Sequence, residues 1–450
     1  MNELNDSKPM DLTAVAEFAL DYAKSRGMDQ ADVSLHQGTG ISVAARQQAL
    51  ETIEKHNDSQ VVVSVYNDHK TGSASSADMT EAGIRSTVDA AVSIAKYTGA
   101  DDCLGLADKE LMATDLKDLD LYHVWDLDVN DLLDLALSCE QAALEFDQRI
   151  INSEGATVDS YSGEAVYANS HGFISKNHSS QHSVSCSVIG AKNGDDNESM
   201  QRDYYYDSNR NPDKLINEIE IGREAANRTV SRLGARQIKS METPVIFDSR
   251  VAKSLVSHLI GGISGGAIYK KASFMLDKVG TTIMPDFVTI AENPHLLGGV
   301  ASSTHDSEGV ATASHRPIVQ SGELQSYVLG SYTARKLGLQ STGNAGGVRN
   351  VSVSNSGQDF QQLLAHMGTG LLITEMIGSG INMVTGDYSR GAAGFWVEHG
   401  EIQYPVEEIT VAGNLSDMYQ NIVAIGSDIE RCGNTRCGSI FVENLTVAGS

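Results

Sequence analysis

Three groupings of residues have types and spacings that could do chemistry. The first is the helical stretch LVSHLIGGISGGAIYKKASF, Leu255 to Phe274, with one histidine, His258, followed by Leu259. A hydrolytic zinc helix needs two imidazoles on one face and a carboxylate to activate a metal-bound water. This stretch holds no glutamate, and the next histidine is His295. No register restores the set, so His258 reads as a structural residue and no metal ligand is assigned. The same stretch contains Gly262-Ile263-Ser264-Gly265-Gly266, a GxSxG pattern. A nucleophile elbow sits between a strand and a helix. Here the pattern follows a helix, so it reads as a glycine break, and no catalytic residue is assigned.

The second grouping is His305, Asp306, Glu308 and His315. These residue types can bind a metal or act as acid and base, and an acidic loop capping a hairpin explains them equally well. The third is the glycine-rich run from Gly370 to Gly413, with eight glycines. Glycine lets another backbone come close. INMVT and FWVEHGEIQYPV alternate like strands, with His399-Gly400 at a hairpin turn. Asp387, Tyr388, Ser389 and Arg390 fall on a loop between them. A strand edge here would take an extended peptide as an added strand, through main-chain hydrogen bonds. The candidate substrate contacts are Gly378, Gly380, Asp387, Tyr388, Arg390 and Gly391, with Arg390 holding a peptide carboxylate or pairing with Asp387. A barrel corner with a structural salt bridge is the competing reading. Tyr204, Tyr205 and Tyr206 with Arg202 and Arg210 read as an edge strand and loop rather than a ligand site.

Positioning these groups requires an α+β fold. Leu12, Val15, Phe18, Ala19 and Tyr22 recur at helical spacing, with Gly27 closing the helix. ADVSLHQ, GISVAARQQ, QVVVSVYND and GSASSA follow as an antiparallel meander, then a helix from Thr80 to Thr98. After an acidic linker, Ala100 to Val129, the order recurs: a helix over Asp131–Phe146, strand-like runs to Ala191, and a helix from Pro212 to Leu233. This predicts a duplicated helix-plus-meander N-terminal half. ETPVIFD opens a glycine-rich, β-dominated, barrel-like C-terminal domain. The expected units are 1–110, 120–235 and 240–450.

The 450 residues carry a net charge of −26. An acidic chain argues against direct nucleic-acid binding, which needs a basic face. The polar N-terminus MNELNDSKPMDL has no signal-peptide core, and no apolar run spans a bilayer. Cys103, Cys139, Cys186, Cys432 and Cys437 are sparse and odd in number, which suits a reducing compartment. Cys432 and Cys437 are too widely spaced for a CxxC zinc knuckle. A cytoplasmic protein without membrane contact is expected.

TEMIGSGINMVTGDYSRGAAGFWVEHGEIQYPV closely resembles the C-terminal signature of the PmbA/TldD family, in particular its PmbA/TldE branch. STGNAGGVRNVSVSN at Ser341–Asn355, the DSEG element at Asp306–Gly309 and GELQSYVLGSYTARKLGL at Gly322–Leu339 fit as well. The resemblance implies a heterodimeric protease, once labelled a modulator of DNA gyrase, that trims extended peptides. A TldD-like subunit would carry zinc on an HExxxH helix, with a C-terminal Cys as third ligand. Cys432 lies near that cysteine and would be a vestige here. This chain would hold the substrate backbone, with no cofactor of its own. Two rival readings are a self-sufficient hydrolase using the His305 cluster and a peptide-binding regulator without proteolysis.

Overall fold

The computed structural model describes residues 11–193 and 200–449. Most of the N-terminal segment read above for a leader lies outside the described residues. The first unit runs α1 (Leu12–Ser25), β1 (Gln30–Arg46), β2 (Ala49–Asn67), β3 (Lys70–Ser76) and α2 (Glu81–Tyr97). The Asp11 and Thr80 side chains cap the two helices by accepting from Thr13 N and Gly83 N, satisfying N–H groups the helix leaves open. The second unit repeats the order: α3 (Val129–Leu144), β4 (Ile150–Asn169), β5 (Ile174–Ala191), β6 (Met200–Asn209) and α4 (Glu218–Ser231).

The two meanders are one sheet, ordered β3-β2-β1-β4-β5-β6. β1 and β4 pair antiparallel without interruption from Asp32↔Asn169 to Ala45↔Ala156. The runs ADVSLHQ and GISVAARQQ, expected as two strands, are therefore one strand passing through Gly38 and Gly40. The glycines do not break it; they make room, since a Cβ at Gly38 would stand 2.1 Å from the Tyr161 hydroxyl. The two runs within β4, and the two within β5, are likewise continuous. All four helices pack on one face. Val33 and Leu35 of β1 meet α1 and α2, and Val43 and Ala45, ten residues on, meet α3 and α4. Gly222 lets α4 close on α3, where a Cβ would fall 2.0 Å from Cys139 O. The helix expected from Pro212 starts instead at Glu218, because Asn217 caps it and Asp207 pins Ile216 N in extended chain at 2.8 Å.

The linker between the units is irregular except for a short 3-10 turn at Lys109–Leu111. It is clasped by Arg335, which donates to Leu106 O at 2.6 Å and to Asp108 at 2.7 Å.

The C-terminal lobe continues with β7 (Met241–Phe247), α5 (Ser249–Gly262), α6 (Gly265–Tyr269), β8 (Ile290–Glu292), β9 (Arg316–Gln320), β10 (Glu323–Leu324) and α7 (Ser331–Leu337). It ends with β11 (Val351–Val353), α8 (Phe360–Met367), β12 (Gly370–Ile377), β13 (Asp387–Glu398), β14 (Glu401–Asn414), α9 (Leu415–Gln420), β15 (Ile422–Ile425), β16 (Thr435–Arg436) and β17 (Ile440–Ala448). Strands β14-β13-β12-β7-β17 form a closed five-stranded barrel, sealed by the β14–β17 pairing. Alternation fixes what each strand faces. Val245 and Phe247 join the α5 core, whereas Ile246 joins α8. A smaller sheet, β10-β9-β8-β11-β16, lies against the same main core.

Two expectations in the glycine-rich run are corrected. INMVT is a turn, because Asn382 accepts from Val384 N through its side chain (3.0 Å) and from Gly386 N through its carbonyl (2.8 Å). An Asn side chain that bonds forward in this way competes with extended pairing. Asp387–Arg390 is the start of β13, paired with Val411–Asn414 of β14, not a loop. The His399-Gly400 turn is present, with φ of 54° and 77°.

Candidate functional site

The helix-free face of the N-terminal sheet looks toward the C-terminal lobe, and a cleft of about 1010 Å³ opens between them. One wall is α5. Ala252, Leu255, Val256 and Leu259 bury one side of this helix in the core. Arg250, Lys253, Ser254 and Ser257 fall on the opposite side at helical spacing and line the cleft. The other wall is built from β4, β5, β6 and the end of α4, including Glu154, Ser187, Arg202, Arg228 and Arg232. Thr374, Glu375 and Met376 of β12 and Arg390 of β13 complete it.

Across the cleft, lobes are tied by charge. Arg232 of α4 pairs with Glu375 of β12 through a short contact and with Asp203 at 3.4 Å. Arg250 donates to Asp248 at 3.0 Å and lies 3.9 Å from Asp203. Burial works against the Arg250 charge, but Asp248 and Asp203 outweigh it and raise its pKa. Glu154 accepts from the Ser187 hydroxyl at 2.8 Å and faces Arg202 at 3.1 Å, and both hold its carboxyl below the usual range. Six basic side chains line the cleft against three carboxylates, the reverse of the chain's overall balance.

The strand edge in the cleft has a structural cause. β7 pairs with β12 only at Leu371, Leu372 and Ile373, because the chain turns at Asp248 into α5. Asp248 N donates to Ile373 O at 2.9 Å and closes the ladder. Beyond it, Glu375, Met376 and Ile377 pair with β13 on one side. Among the described residues no strand covers their other side.

The six residues proposed from sequence are only partly brought together. Arg390 lines the cleft, and its buried Nε has no hydrogen-bond partner among the described residues. It does not pair with Asp387, which is exposed and accepts from Thr385 Oγ1 (2.6 Å) and Asn414 Nδ2 (3.3 Å). Tyr388 is 1% exposed, inside the main core. Burial raises its phenol to about 12, and its ring stands 6.1 Å from His258. Gly378 (φ 74°) and Gly380 are exposed, beyond the end of β12, and Gly391 pairs with Ile377. Gly380 accepts from Ser389 N at 2.7 Å, too close for any side chain.

The α5 donor set does not fit zinc. His258 is its one imidazole. Burial, with the Arg390 charge beside it, holds its pKa down, and Nε2 has no hydrogen-bond partner among the described residues. No three potential ligands cluster among the described residues. The Cys432 thiol is buried and donates to Asp207 at 3.3 Å; burial and that carboxylate push it up to about 12, away from the thiolate that binds metal. In the second grouping, His305 is engaged at both nitrogens, by Asp306 O (2.7 Å) and Ser175 Oγ (2.8 Å). Asp306 accepts from the backbone of Glu308, Val310 and Ala345. His315 bonds to Asn293 instead. Ser264 follows α5 and gives its hydroxyl to Gly261 O at 2.8 Å, so the GxSxG pattern makes no elbow. Tyr204 and Tyr206 stack on edge strand β6, as expected of such a run.

Reading the sequence missed Arg232, Arg250, Lys253 and Glu375. The signal was present for three of them. Arg250, Lys253 and Ser257 form the polar stripe of a helix whose opposite stripe is apolar, and Arg228 and Arg232 are four apart near the end of α4.

These features define a mixed α+β protein of two lobes, with a charged cleft between a two-layered N-terminal repeat and a barrel. Sequence models of the PmbA/TldA metallopeptidase family match it in three pieces: domain 1 at residues 31–95, the central domain at 122–233 and the C-terminal domain at 240–449. The chain belongs to the PmbA/TldD family. It is 48% identical to Metalloprotease PmbA of Escherichia coli O157:H7, over 97% of this chain and 96% of that one. It is 47% identical to the Metalloprotease PmbA homolog of Haemophilus influenzae, over 99% and 97%. A crystal structure of a putative modulator of DNA gyrase from Bacteroides thetaiotaomicron superposes with a TM-score of 0.91 at 27% identity, covering 97% of this chain and 99% of that one. TldE from Thermococcus kodakarensis shares the fold, with a TM-score of 0.79 at 18% identity, over 97% and 100%. No helix among the described residues is long and apolar enough to cross a membrane.

Proposed function

We propose that this chain is the substrate-holding, non-metal-binding subunit of a cytosolic, heterodimeric zinc metalloprotease, and that a TldD-like partner carries the zinc. The observation that carries the reading is the uncovered edge of β12 at Thr374–Ile377, opening into the cleft beside α5. An extended peptide added there gains main-chain hydrogen bonds whatever its side chains. The α5 donor set, one half-buried histidine without a carboxylate, supports placing hydrolysis on another chain. Family membership supports peptide chemistry, and the net charge of −26 gives no support for direct nucleic-acid contact.

The test is co-purification with a TldD-like protein, followed by metal analysis and cleavage of an unstructured peptide by each chain and by the mixture. Cleavage by the mixture alone supports the reading. Failure to associate, or a mixture that cleaves nothing, favours a peptide-binding regulator without proteolysis.

A further inference from the structure

The cleft contains cations that the protein itself does not neutralise. Its ion pairs use Arg202, Arg228, Arg232 and Arg250. Lys253 and Arg390 also line it, and neither takes part in an ion pair among the described residues. Among the described residues the Lys253 ammonium has no hydrogen-bond partner, and its carbonyl accepts from the Ser257 hydroxyl. Arg390 goes further, because its buried Nε has no acceptor among the described residues. Leaving a buried charged donor unpaired is costly, more so than for a neutral group. In a protein with a large excess of carboxylates, a guanidinium whose buried Nε has no acceptor among the described residues points to an acceptor supplied from outside.

Position says what kind of acceptor. Gly391, adjacent to Arg390, pairs with Ile377, the last residue of the uncovered β12 edge. The guanidinium therefore belongs to the far end of that edge, and Lys253 to the α5 wall beside its beginning. A guanidinium matches a carboxylate in a two-bonded fork, while an ammonium acts as a point charge. We infer that Arg390 and Lys253 form a carboxylate subsite of the cleft, which takes a carboxylate of a peptide laid along Thr374–Ile377. The carboxylate comes either from the peptide's C-terminus or from an acidic side chain. The subsite rests on the holding role proposed above and adds a chemical preference to it. The chain's negative field favours a peptide with few other acidic groups.

The test uses an N-acetylated, unstructured peptide of alternating serine, threonine and valine, titrated calorimetrically into the full chain. It is made in three forms: free C-terminal acid, C-terminal amide, and amide with one internal glutamate. The expected result is that one carboxylate form binds about tenfold more tightly than the neutral amide, the scale of one charge-assisted bond. Preference for the free acid assigns the terminus, and preference for the glutamate form assigns a side chain. Arg390→Gln and Lys253→Gln each reduce that preference, and raising the salt concentration reduces it too. Lys253 sits on the polar side of α5, so its variant carries the test if Arg390→Gln fails to fold. Equal binding of all three forms overturns the subsite and leaves the holding role standing. A preference that survives both substitutions overturns the assignment to these residues. Absence of binding by every form overturns the subsite and the holding role together.

Discussion

Phe247 pairs with Ile373, and this is the last rung between β7 and β12. One residue later the Asp248 side chain caps α5, so the chain that would have covered β12 leaves as a helix. The same turn thus creates the uncovered edge and the helix wall of the cleft. Hydrogen exchange reads this directly. On adding an extended peptide, the amides of Thr374–Ile377 gain protection. Those of Leu371–Ile373, already flanked by strands on both sides, change little. Protection confined to the β1–β2 arm would place the peptide elsewhere.

Arg210 holds the two lobes in register. Its guanidinium donates to Ser180 O (2.9 Å) on β5 and to Gly299 O (3.2 Å) and Val300 O (2.5 Å) on the C-terminal lobe. Arg210→Ala leaves three carbonyls without their charged donor. The expected loss is about 2–3 kcal/mol of unfolding free energy, in the range for hydrogen bonds to charged groups, measured by urea denaturation. A loss below about 0.5 kcal/mol, the usual scatter of surface substitutions, contradicts the tether.

Asp32 gives the protein a pH dependence of defined sign. Burial raises its carboxyl to about 7, against the hydrogen bond from the Tyr66 hydroxyl (3.1 Å), which lowers it. The folded state therefore keeps a proton that the unfolded chain releases near the ordinary carboxylate value. Its contribution to stability is fully present below that value and is lost as pH rises to about 7. Asp32→Asn removes this dependence. The variant gains stability relative to the parent between pH 4 and 8, read from urea midpoints at the two pH values. A constant difference across that range contradicts the assignment.

Periodicity in the sequence identified the four helices of the N-terminal half and α5, together with the repeated order of elements, but not the short helices α6–α9. Residues such as Val33, Leu35, Val43 and Ala45 make the pattern plain, because one face of one sheet is buried along its length. What it could not show is that β1 and β4 join the two meanders, since their register depends on partners more than a hundred residues apart. Gly38, which falls between the two runs ADVSLHQ and GISVAARQQ, lies inside β1 in close contact with Tyr161. Of the six candidate contacts named from the sequence, Arg390 alone lines the cleft. Tyr388 looked like a polar contact on a loop and is a core residue, because the Asn382 turn starts β13 earlier than the glycine spacing suggests. The basic cleft was hidden because its cations come from β6, α4, α5 and β13, which only the fold assembles.

The central claim is that this chain holds while another cuts. Elemental analysis of zinc, on the purified chain and on its complex with a TldD-like protein, tests it most directly, with cleavage of an unstructured peptide measured in parallel. The account predicts no stoichiometric zinc and no cleavage for this chain alone, and one zinc per TldD-like subunit with cleavage in the complex. Stoichiometric zinc in this chain alone would contradict it.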